Sequence, residues 1–407
     1  MRIIHVMDHS LPGTDGYAIR AKYLLEAQAA AGHDVQVLTS PSQGTSAVDT
    51  RIAGVRYHRS HYSASESRLV RWGAKHLVFG RAVLRRLREL CDAERFDVVH
   101  AHTPFTVAGP ALREARRRGL PLVYEKRNLW EESARARGKA SGRWPFFQLA
   151  RAMDRGVTIG ADAVCTITEA LRRSTIEAGV ADADVFVVGN GVDTDAFVPR
   201  PAPAALREDC AAGGSFVIGF IGSFFTFEGL PMLVRAAAAL RGRHPQLRLV
   251  LVGDGEDRLR LEEMVRTMDL AQTVRLTGRV PHDQVLDYYA SMDVLVYPRH
   301  RSALTDMISP LKPLEPMAMG KCVLGSDVRG IGELIVDGRT GILFRADAQD
   351  DLQRQLDRLL SGEVDTDAIG RRARDDVVGQ RQWRLMAERY EDAYRRAIAR
   401  VGARTRT

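Results

Sequence analysis

The sequence predicts an α/β protein built from two doubly wound parallel-sheet domains. Short apolar runs alternate with helical stretches along the chain, which is typical of parallel sheets covered by helices on both faces. A segment rich in proline, alanine and glycine interrupts this alternation once, and the same alternation then begins again. We therefore predict an amino-terminal domain at residues 1–195, a linker at 196–214 and a carboxyl-terminal domain at 215–380.

The first domain begins with a strand, a glycine-containing loop and a helix. RIIHVM has the β-branched apolar run of a buried strand, and GYAIRAKYLLEAQAAAG combines helical spacing with a terminal glycine. Further strands are predicted at HDVQVLTS, FDVVHAH, LPLVYEK, ADAVCTIT and DVFVVGN. In the second domain strands are predicted at SFVIGFIGS, LRLVLVGDG, TVRLTG, DVLVYP and KCVLGSD, and the tail QRQWRLMAERYEDAYRRAIARV is predicted to form one long amphipathic helix.

The composition is that of a folded globular protein. Apolar residues make up 45% and charged residues 27% of the 407 residues, and the formal net charge is +8. The arginines lie in helical stretches with interleaved acidic residues and without aromatic platforms for bases, so no nucleic-acid partner is predicted. The four cysteines are far apart and form no CxxC pair, so neither a zinc site nor a disulfide framework is indicated.

The sequence predicts a cytoplasmic protein with at most peripheral membrane contact. MRIIHVMDHS reaches Asp8 after too few apolar residues for a signal-peptide core, and no apolar run approaches the roughly 18 residues that span a bilayer. The basic charge suits phosphorylated sugars, nucleotides or an anionic membrane face. RARGKASGRWPFFQLARAMDR, with Trp144, Phe146 and Phe147, is a candidate interfacial helix. The alternative is a connecting loop followed by a helix that packs on the core.

Two doubly wound sheets are expected to bind ligands at the carboxyl ends of their strands, which predicts a two-domain enzyme with a shared cleft. The dinucleotide fingerprint GxGxxG is missing, since LPGTDGY and VGDGEDRL both lack its spacing. A Walker A loop, an HExxH helix and a GxSxG elbow are absent from the sequence as well.

Five motifs follow one another along the chain: VVGNGVDTDAFVP, LVLVGDGEDRLRLEEMV, VRLTGRVPHDQVLDYYASMDVLVYP, PLEPMAMGKCVL and GIGELIVDGRTGILF. In this order they resemble the carboxyl-terminal half of family 4 of the retaining nucleotide-sugar glycosyltransferases, which have the GT-B fold. DVVHAH, YEKRNLWEES and AVCTITEALRRSTIEAGV resemble the amino-terminal half of the family. HSLP, the YE.R.LWE pattern and LKPLE are similar to a bacterial subgroup associated with exosortase and exopolysaccharide gene clusters.

The resemblance implies transfer of a sugar from a nucleotide diphosphate to a hydroxyl acceptor with retained configuration, without a divalent metal or a cofactor. The donor is expected on residues 215–380, with UDP favoured as its nucleotide, and the acceptor on the first domain. The last helix, at 381–402, is expected to pack back on the first domain. A nucleotide-sugar epimerase of the same fold, or a nucleotide-sugar binding protein without turnover, is the alternative. The acceptor stays open between a glycan or exopolysaccharide precursor, a lipid-linked precursor and a small natural product, and the oligomeric state is not predicted.

PLEPMAMG matches the second glutamate of the family's Glu-x7-Glu motif, so Glu315 is expected to bond the nucleotide ribose. It lies in the first turn of a helix whose start tolerates prolines, beside Leu314 and Lys312. The first glutamate is missing, because Met307 stands eight positions before Glu315 and the nearest carboxylate is Asp306. Asp306 either replaces that glutamate at the sugar or caps a turn.

The family's phosphate-binding Arg and Lys are also missing, since Ser223, which is kept as a donor-binding candidate, and Glu228 stand in their places. The charge of a leaving diphosphate needs another cation. Lys312 is the first candidate and Arg299 the second, each alternatively a solvated surface charge; Arg20 and Arg301 are further candidates. Arg279, in the LTGRVPH segment near which the base is expected, and Glu333, in the GIGEL turn, are further donor-site candidates, although Glu333 may equally be structural.

In the first half, Gly13 and Gly16 of SLPGTDGYA offer close backbone approach to the donor diphosphate, or form a plain turn. Glu125 and Arg127 lie at the carboxyl end of a predicted strand, where functional groups of open α/β sheets are found. Glu125 is a candidate acid or base for the acceptor hydroxyl, and the alternative is an ion pair with Arg127 that shapes the loop. His100 and His102 are expected to pack and bond within the strand end.

Overall fold

The computed structural model describes residues 1–13, 15–44, 48–63, 66, 75–129, 132–133, 145–211 and 216–404. The described chain divides into two compact units. Unit 1 holds Met1–Arg135, Ala140–Asn190 and Trp383–Thr407, and unit 2 holds Gly191–Gln382. Each unit has its own sheet with helices around it, which confirms the predicted fold class.

Unit 1 contains an eight-stranded sheet in the order β3-β4-β2-β1-β5-β6-β7-β8. β3 runs antiparallel to β4, and every other neighbouring pair is parallel. Its strands are β1 Arg2–Met7, β2 Asp34–Thr39, β3 Thr50–Ile52, β4 Val55–Arg59, β5 Val98–His102, β6 Leu122–Lys126, β7 Ala163–Thr166 and β8 Val185–Val187. The helices up to residue 190 are α1 Gly16–Ala30, α2 Lys75–Ala93, α3 Phe105–Arg118, α4 Pro145–Gly160 and α5 Glu169–Glu177.

Unit 2 contains a six-stranded parallel sheet in the order β11-β10-β9-β12-β13-β14. Its strands are β9 Phe216–Ile221, β10 Leu247–Val252, β11 Val274–Gly278, β12 Val294–Tyr297, β13 Cys322–Ser326 and β14 Ile342–Phe344. Its helices are α6 Ala204–Ala211, α7 Leu230–Leu240, α8 Arg258–Thr267, α9 Val285–Ala290, α10 Ala303–Met307, α11 Leu314–Ala318, α12 Arg329–Gly332, α13 Gln349–Leu360 and α14 Thr366–Gln380.

The last helix, α15 Trp383–Arg404, belongs to unit 1. Tyr390 and Tyr394 on its inner face are fully buried, and Trp383 stacks on Tyr23 of α1 with the ring centroids 5.9 Å apart. The helix thus supplies part of the core of unit 1, although nearly two hundred residues separate it from the rest of that unit.

The boundary between the units differs from the predicted linker. The chain passes from unit 1 to unit 2 between Asn190 and Gly191, and helix α6 lies inside the 196–214 segment. Cys210 and Ala211 of that helix are buried in the core of unit 2. Alanine is the best helix former, so a stretch that is rich in alanine as well as proline can pack as a helix.

Strands β3, β4 and β14 were not predicted, because β3 is exposed along its length, β4 alternates buried with half-buried residues, and β14 offers only the three apolar residues ILF. In the described residues, no helix is both long and apolar enough to cross a bilayer. Most of the candidate membrane segment before Pro145, including Trp144, lies outside the described residues. Its described part begins α4, where Phe147 is buried while Leu149 and Met153 are exposed.

Candidate functional site

A cluster of charged side chains lies in unit 2 where β9 and β12 end. Gly222 and Ser223 directly follow β9, and Arg299 lies two residues beyond the end of β12. Helix α11 begins nearby in the sequence with Leu314, which is buried in the core of unit 2. Carboxyl ends of parallel strands are the usual ligand-binding edge of such sheets.

Glu228 is the centre of this cluster and is only 1% exposed. Its carboxylate accepts hydrogen bonds from Nε and Nη2 of Arg299, at 3.1 and 3.0 Å, and from Nζ of Lys312 at 2.6 Å. Burial raises the pKa of Glu228, but the charges of Arg299 and Lys312 outweigh it and lower the pKa to about 2. One carboxylate therefore holds two cations together, which leaves one positive charge in excess.

The side chain of Lys312 runs over Gly222. A Cβ atom at that position would lie 2.3 Å from Cε of Lys312, and Gly222 has a φ of 146°, which favours glycine. The hydroxyl of Tyr297 donates to the Lys312 carbonyl at 3.0 Å. The strand end, the glycine and the tyrosine together fix the position of this cation.

Glu315 is half-buried on α11. The hydroxyl of Tyr289 donates to its Oε2 at 2.6 Å. Burial raises the pKa of Glu315 to about 7, against the opposing effects of Tyr289 and Lys312. The carboxyl group of Glu315 is thus held by a neutral hydroxyl and remains the group in this cluster whose charge changes near neutral pH.

Asp306 braces two helices in the structure. Its Oδ1 accepts the backbone N–H of Arg329, the first residue of α12, at 2.9 Å, and Nη1 of Arg301 at 3.3 Å. Arg301 also donates to Asp327. The carboxylate thus caps the amino terminus of α12, 23 residues further along the chain, and the guanidinium of Arg301 bonds both Asp306 and Asp327.

The other predicted donor residues lie at varied positions of unit 2. Ser223 is exposed beyond β9. The side chain of Arg279 is 83% exposed, with Nε 3.6 Å from Oδ2 of Asp254. Glu333 caps the carboxyl end of α12, and its carbonyl accepts from Nη2 of Arg381.

Glu125 of unit 1 has no exposed surface and so does not face an acceptor in this structure. Its Oε1 accepts from Nη2 and Nε of Arg20, at 2.9 and 3.1 Å, and its Oε2 lies 3.0 Å from Nδ1 of His102. Burial raises the pKa of Glu125, but Arg20, followed by His102, lowers it well below the usual value. The predicted alternative partner, Arg127, is therefore corrected to Arg20.

Arg20 and the histidines connect the sheet of unit 1 to α15. Arg20 also donates to the hydroxyl of Tyr390 at 3.1 Å, and His100 Nδ1 is 2.8 Å from the hydroxyl of Tyr394. Ligand atoms of His5, His100 and His102 lie within 4.8 Å of one another, so this buried group has the composition of a metal site. However, Nδ1 of His5 is bonded to Nε2 of His102 at 2.9 Å, which together with the cationic Arg20 favours an internal hydrogen-bond network.

The loop that contains Gly13 and Gly16 also contains a carboxylate, that of Asp15, at the start of α1. Helix α1 begins at Gly16, and Oδ1 of Asp15 accepts the N–H groups of Tyr17 and Ala18 at 2.9 and 3.1 Å. His9 Nε2 is 2.9 Å from Oδ2 of Asp15, and this hydrogen bond lowers the pKa of Asp15 to about 2. The Asp15 carboxylate thus caps the first turn of α1, while the N–H of Gly13 donates to the carbonyl of Ser10 at 3.0 Å.

Arg127 directly follows β6 and lies over the ring of Tyr17, with its guanidinium carbon 3.7 Å from the ring centroid. It is 5% exposed. Within the part of the chain that the structure describes, none of its three nitrogen atoms has a partner with hydrogen-bond geometry.

Sequence reasoning missed Glu228, Tyr289 and Asp15 as parts of these sites. The sequence analysis interpreted Glu228 only as the loss of a cation. A carboxylate in that place, together with the two candidate cations Arg299 and Lys312, could have indicated an ion pair. Asp15 was also recognisable, because an aspartate directly before a helix is a preferred amino-terminal cap. Tyr289 lies in a helix with no local pattern that points to Glu315.

Two parallel-sheet α/β units are the architecture of the GT-B fold. The family model described as "Glycosyl transferases group 1" matches residues 206–376, and the model described as "Glycosyl transferase 4-like domain" matches residues 15–191. The protein is a glycosyltransferase that combines a group 1 domain with a 4-like domain.

Known relatives and structures agree with this class. D-inositol 3-phosphate glycosyltransferase of Arthrobacter sp. (strain FB24) is 27% identical, over 91% of this chain and 88% of that protein. Glycogen synthase of Mycobacterium tuberculosis (strain ATCC 25618 / H37Rv) is 25% identical, over 93% and 90%. The crystal structure of Anabaena Alr3699/HepE in complex with UDP has a TM-score of 0.75 at 17% identity, with 96% and 98% of the two chains covered. Sucrose-phosphate synthase from Thermosynechococcus elongatus has a TM-score of 0.77 at 19% identity, with 98% and 100% covered.

Proposed function

We propose that the protein moves a sugar from a nucleotide-diphosphate sugar to a hydroxyl acceptor with retention of configuration and without a metal. The observation that supports this most is the cluster of Glu228, Arg299 and Lys312 at the strand ends of unit 2. It supplies a net positive charge in a largely buried place, where charge stabilisation of a leaving diphosphate is most effective.

Glu315 completes the proposed donor site. An ionised carboxylate accepts hydrogen bonds from two hydroxyl groups, which suits a ribose. UDP is the favoured nucleotide, and the Anabaena protein of the same fold is described in complex with UDP. Glu125, the candidate base for the acceptor hydroxyl, is fully buried. The departing phosphate would therefore take the proton of the acceptor hydroxyl instead. A donor analogue whose phosphate oxygens are blocked should therefore turn over slowly.

We assign polysaccharide or lipid-linked precursor synthesis in the cytoplasm as the setting. The exopolysaccharide-associated motifs favour it, and α4 exposes Leu149 and Met153 beside arginines, as a peripheral membrane contact requires. The relatives named above are all transferases or synthases, so an epimerase or a binding protein without turnover is not favoured.

A panel of UDP-, GDP-, ADP- and dTDP-sugars tests the proposed function. We expect slow hydrolysis or transfer with one nucleotide class, and an at least tenfold weaker donor affinity in Lys312→Met, because the cation near the diphosphate is removed. Arg243→Met removes an exposed cation of the same unit that is not a donor-site candidate, and it should leave the affinity within about twofold. An isomerised sugar, or tight binding without turnover, would contradict the transferase proposal.

A further inference from the structure

Unit 1 contains a cavity of about 270 Å³ at the carboxyl edge of its sheet. The cavity lies where β1, β5 and β6 end, and it is close to the lower end of the usual range for small-molecule sites, about 300 Å³. The lining residues that bear on its chemistry are Asp8, Tyr17, Lys75, Thr103, Asn128 and Asp154.

Two buried hydrogen-bond donors, Thr103 in the cavity lining and Arg127 next to it, have no hydrogen-bond partner among the described residues. The hydroxyl of Thr103, a lining residue that is 4% exposed, makes no hydrogen bond within the described residues. The guanidinium of Arg127 is equally unpaired there, and Arg127 stacks on the lining residue Tyr17 and precedes the lining residue Asn128. Leaving a buried charge unpaired is costly, so a ligand anion is the natural complement of such a group.

The carboxylates of the cavity are, in contrast, all satisfied. Asp8 accepts from the hydroxyls of Ser40 and Ser42, both at 2.9 Å, and contacts His9. Asp154 accepts from Tyr124 and lies 3.0 Å from Nζ of Lys126.

The charged side chains at the cavity that have no ion-pair partner among the described residues are both positive. Lys75 begins α2, and its ammonium lies 5.1 Å from the centroid of the Phe79 ring but in no ion pair among the described residues. Lys75 is exposed in the cavity lining, whereas Arg127 is buried next to it, and both positive charges would favour a negatively charged ligand.

We propose that this cavity binds an acceptor through an anionic group, a phosphate or a carboxylate, with Arg127, Thr103 and Lys75 as its ligands. The inference rests on the proposed function, since it assigns the cavity to the acceptor of that reaction. Arg127 has the bidentate geometry that suits such oxyanions, and Thr103 adds a neutral donor.

Titration calorimetry with glucose, glucuronate and glucose 6-phosphate, without any nucleotide-sugar, tests the proposal. The three probes share a sugar ring and differ in charge. We expect one or both anions to bind the full-length protein at least tenfold more tightly than glucose. Comparing glucuronate with glucose 6-phosphate then distinguishes a carboxylate from a phosphate site.

Substitutions of single residues test whether the preference for anionic sugars depends on this cavity. Arg127→Gln should reduce the preference for the anion to less than about threefold, Arg127→Lys should retain part of it, and Thr103→Val, which keeps the side-chain shape, should weaken it. Arg113→Gln is the matched control, because Arg113 is an exposed arginine of α3 in the same unit, and it should leave the preference unchanged.

Equal binding of all three sugars to the wild-type protein would overturn the proposal. A preference that survives Arg127→Gln but disappears in Lys312→Met would overturn it as well, since the anion would then occupy the cluster of unit 2. Binding is measured here without a donor, so a failure of the proposed transfer reaction would show only in the nucleotide-sugar panel.

Discussion

At the scale of single residues, Glu315 and Glu228 show two ways to keep a carboxylate in a protein interior. Glu228 is paired with two cations, so its charge is stabilised and its pKa is low. Glu315 has Tyr289 as its direct partner, and burial raises its pKa to about 7. The ion pairs of Glu228 hold Arg299 and Lys312 in place. The arrangement of Glu315 leaves its carboxylate free to accept hydrogen bonds from a ligand, at a cost in the free energy of unfolding when the group is ionised.

Replacing Glu315 by glutamine should lower the donor affinity and, at pH 8, raise the free energy of unfolding. The folded protein holds the Glu315 proton more tightly than the unfolded chain between the ordinary pKa of 4.5 and about 7. The stability of the wild type therefore falls as pH rises through this window. Glu315→Gln cannot ionise, so we expect it to be more stable than the wild type by about 1 to 3 kcal/mol at pH 8 and nearly equal at pH 5.

Urea unfolding of both proteins at the two pH values measures this difference. Donor affinity should fall more than tenfold in the same variant, because the amide is a poorer acceptor for two ribose hydroxyls. Tight donor binding by Glu315→Gln, or a stability difference that does not depend on pH, would contradict the assignment of Glu315.

At the scale of elements, helix α14 crosses the end of α11 with backbone against backbone. A Cβ atom on Gly370 of α14 would lie 1.9 Å from the carbonyl oxygen of Gly320, which follows α11 at a φ of 73°. Since α11 carries Glu315, this close crossing helps to hold the proposed ribose contact in place. Only a residue without a side chain fits there.

Gly370→Ala should therefore destabilise unit 2 by about 2 kcal/mol or more, because the backbones must separate. Gly379 lies in the same helix with no atom within 4 Å of its would-be Cβ. Gly379→Ala is thus a matched control that should stabilise the protein by up to about 1 kcal/mol. Thermal unfolding of the two variants measures both effects, and equal unfolding temperatures would contradict the close crossing.

At the scale of the whole molecule, two cores are formed by one chain that leaves unit 1 and returns to it. The N–H of Val192 donates to the carbonyl of Arg381 at 2.8 Å, and Val192 also bridges to Gln382. The two connecting segments thus run side by side. Unit 2 has its own sheet and core, whereas unit 1 needs α15 from the far end of the chain.

Deleting residues 383–407 should unfold unit 1 and spare unit 2. The helix buries Tyr390 and Tyr394 completely, and losing each costs about 3 to 5 kcal/mol, which together approach the whole stability of a typical domain. Limited proteolysis should then leave a resistant fragment near 191–382. A fusion of Asn190 to Trp383 through a short Gly/Ser linker restores the helix and should fold. Protease resistance of residues 1–190 in the truncated protein would contradict this dependence.

The alternation of apolar runs and helices was sufficient to predict the two parallel sheets, because strand burial on both faces is a local property of composition. The strand RIIHVM and the carboxyl-terminal helix were predicted within a few residues of their ends. Strands β3, β4 and β14 were not predicted, because TRI and VRYHR lack a continuous apolar run and ILF has only three apolar residues. The helix inside the predicted linker was not predicted, because the proline and glycine content of the segment indicated a loop. The packing of Cys210 and Ala211 in the core of unit 2 stabilises the helix instead.

By itself the sequence determined the fold class, the glycosyltransferase motifs and the position of Glu315 at a helix start. Only the tertiary structure decided which charges meet. Glu228 neutralises half of the charge that Arg299 and Lys312 bring, and Arg20 rather than Arg127 pairs with Glu125. The guanidinium of Arg127 has no hydrogen-bond partner among the described residues. The physical reason is that periodicity and motifs are local along the chain, whereas an ion pair depends on a distance of a few ångströms between residues far apart in sequence.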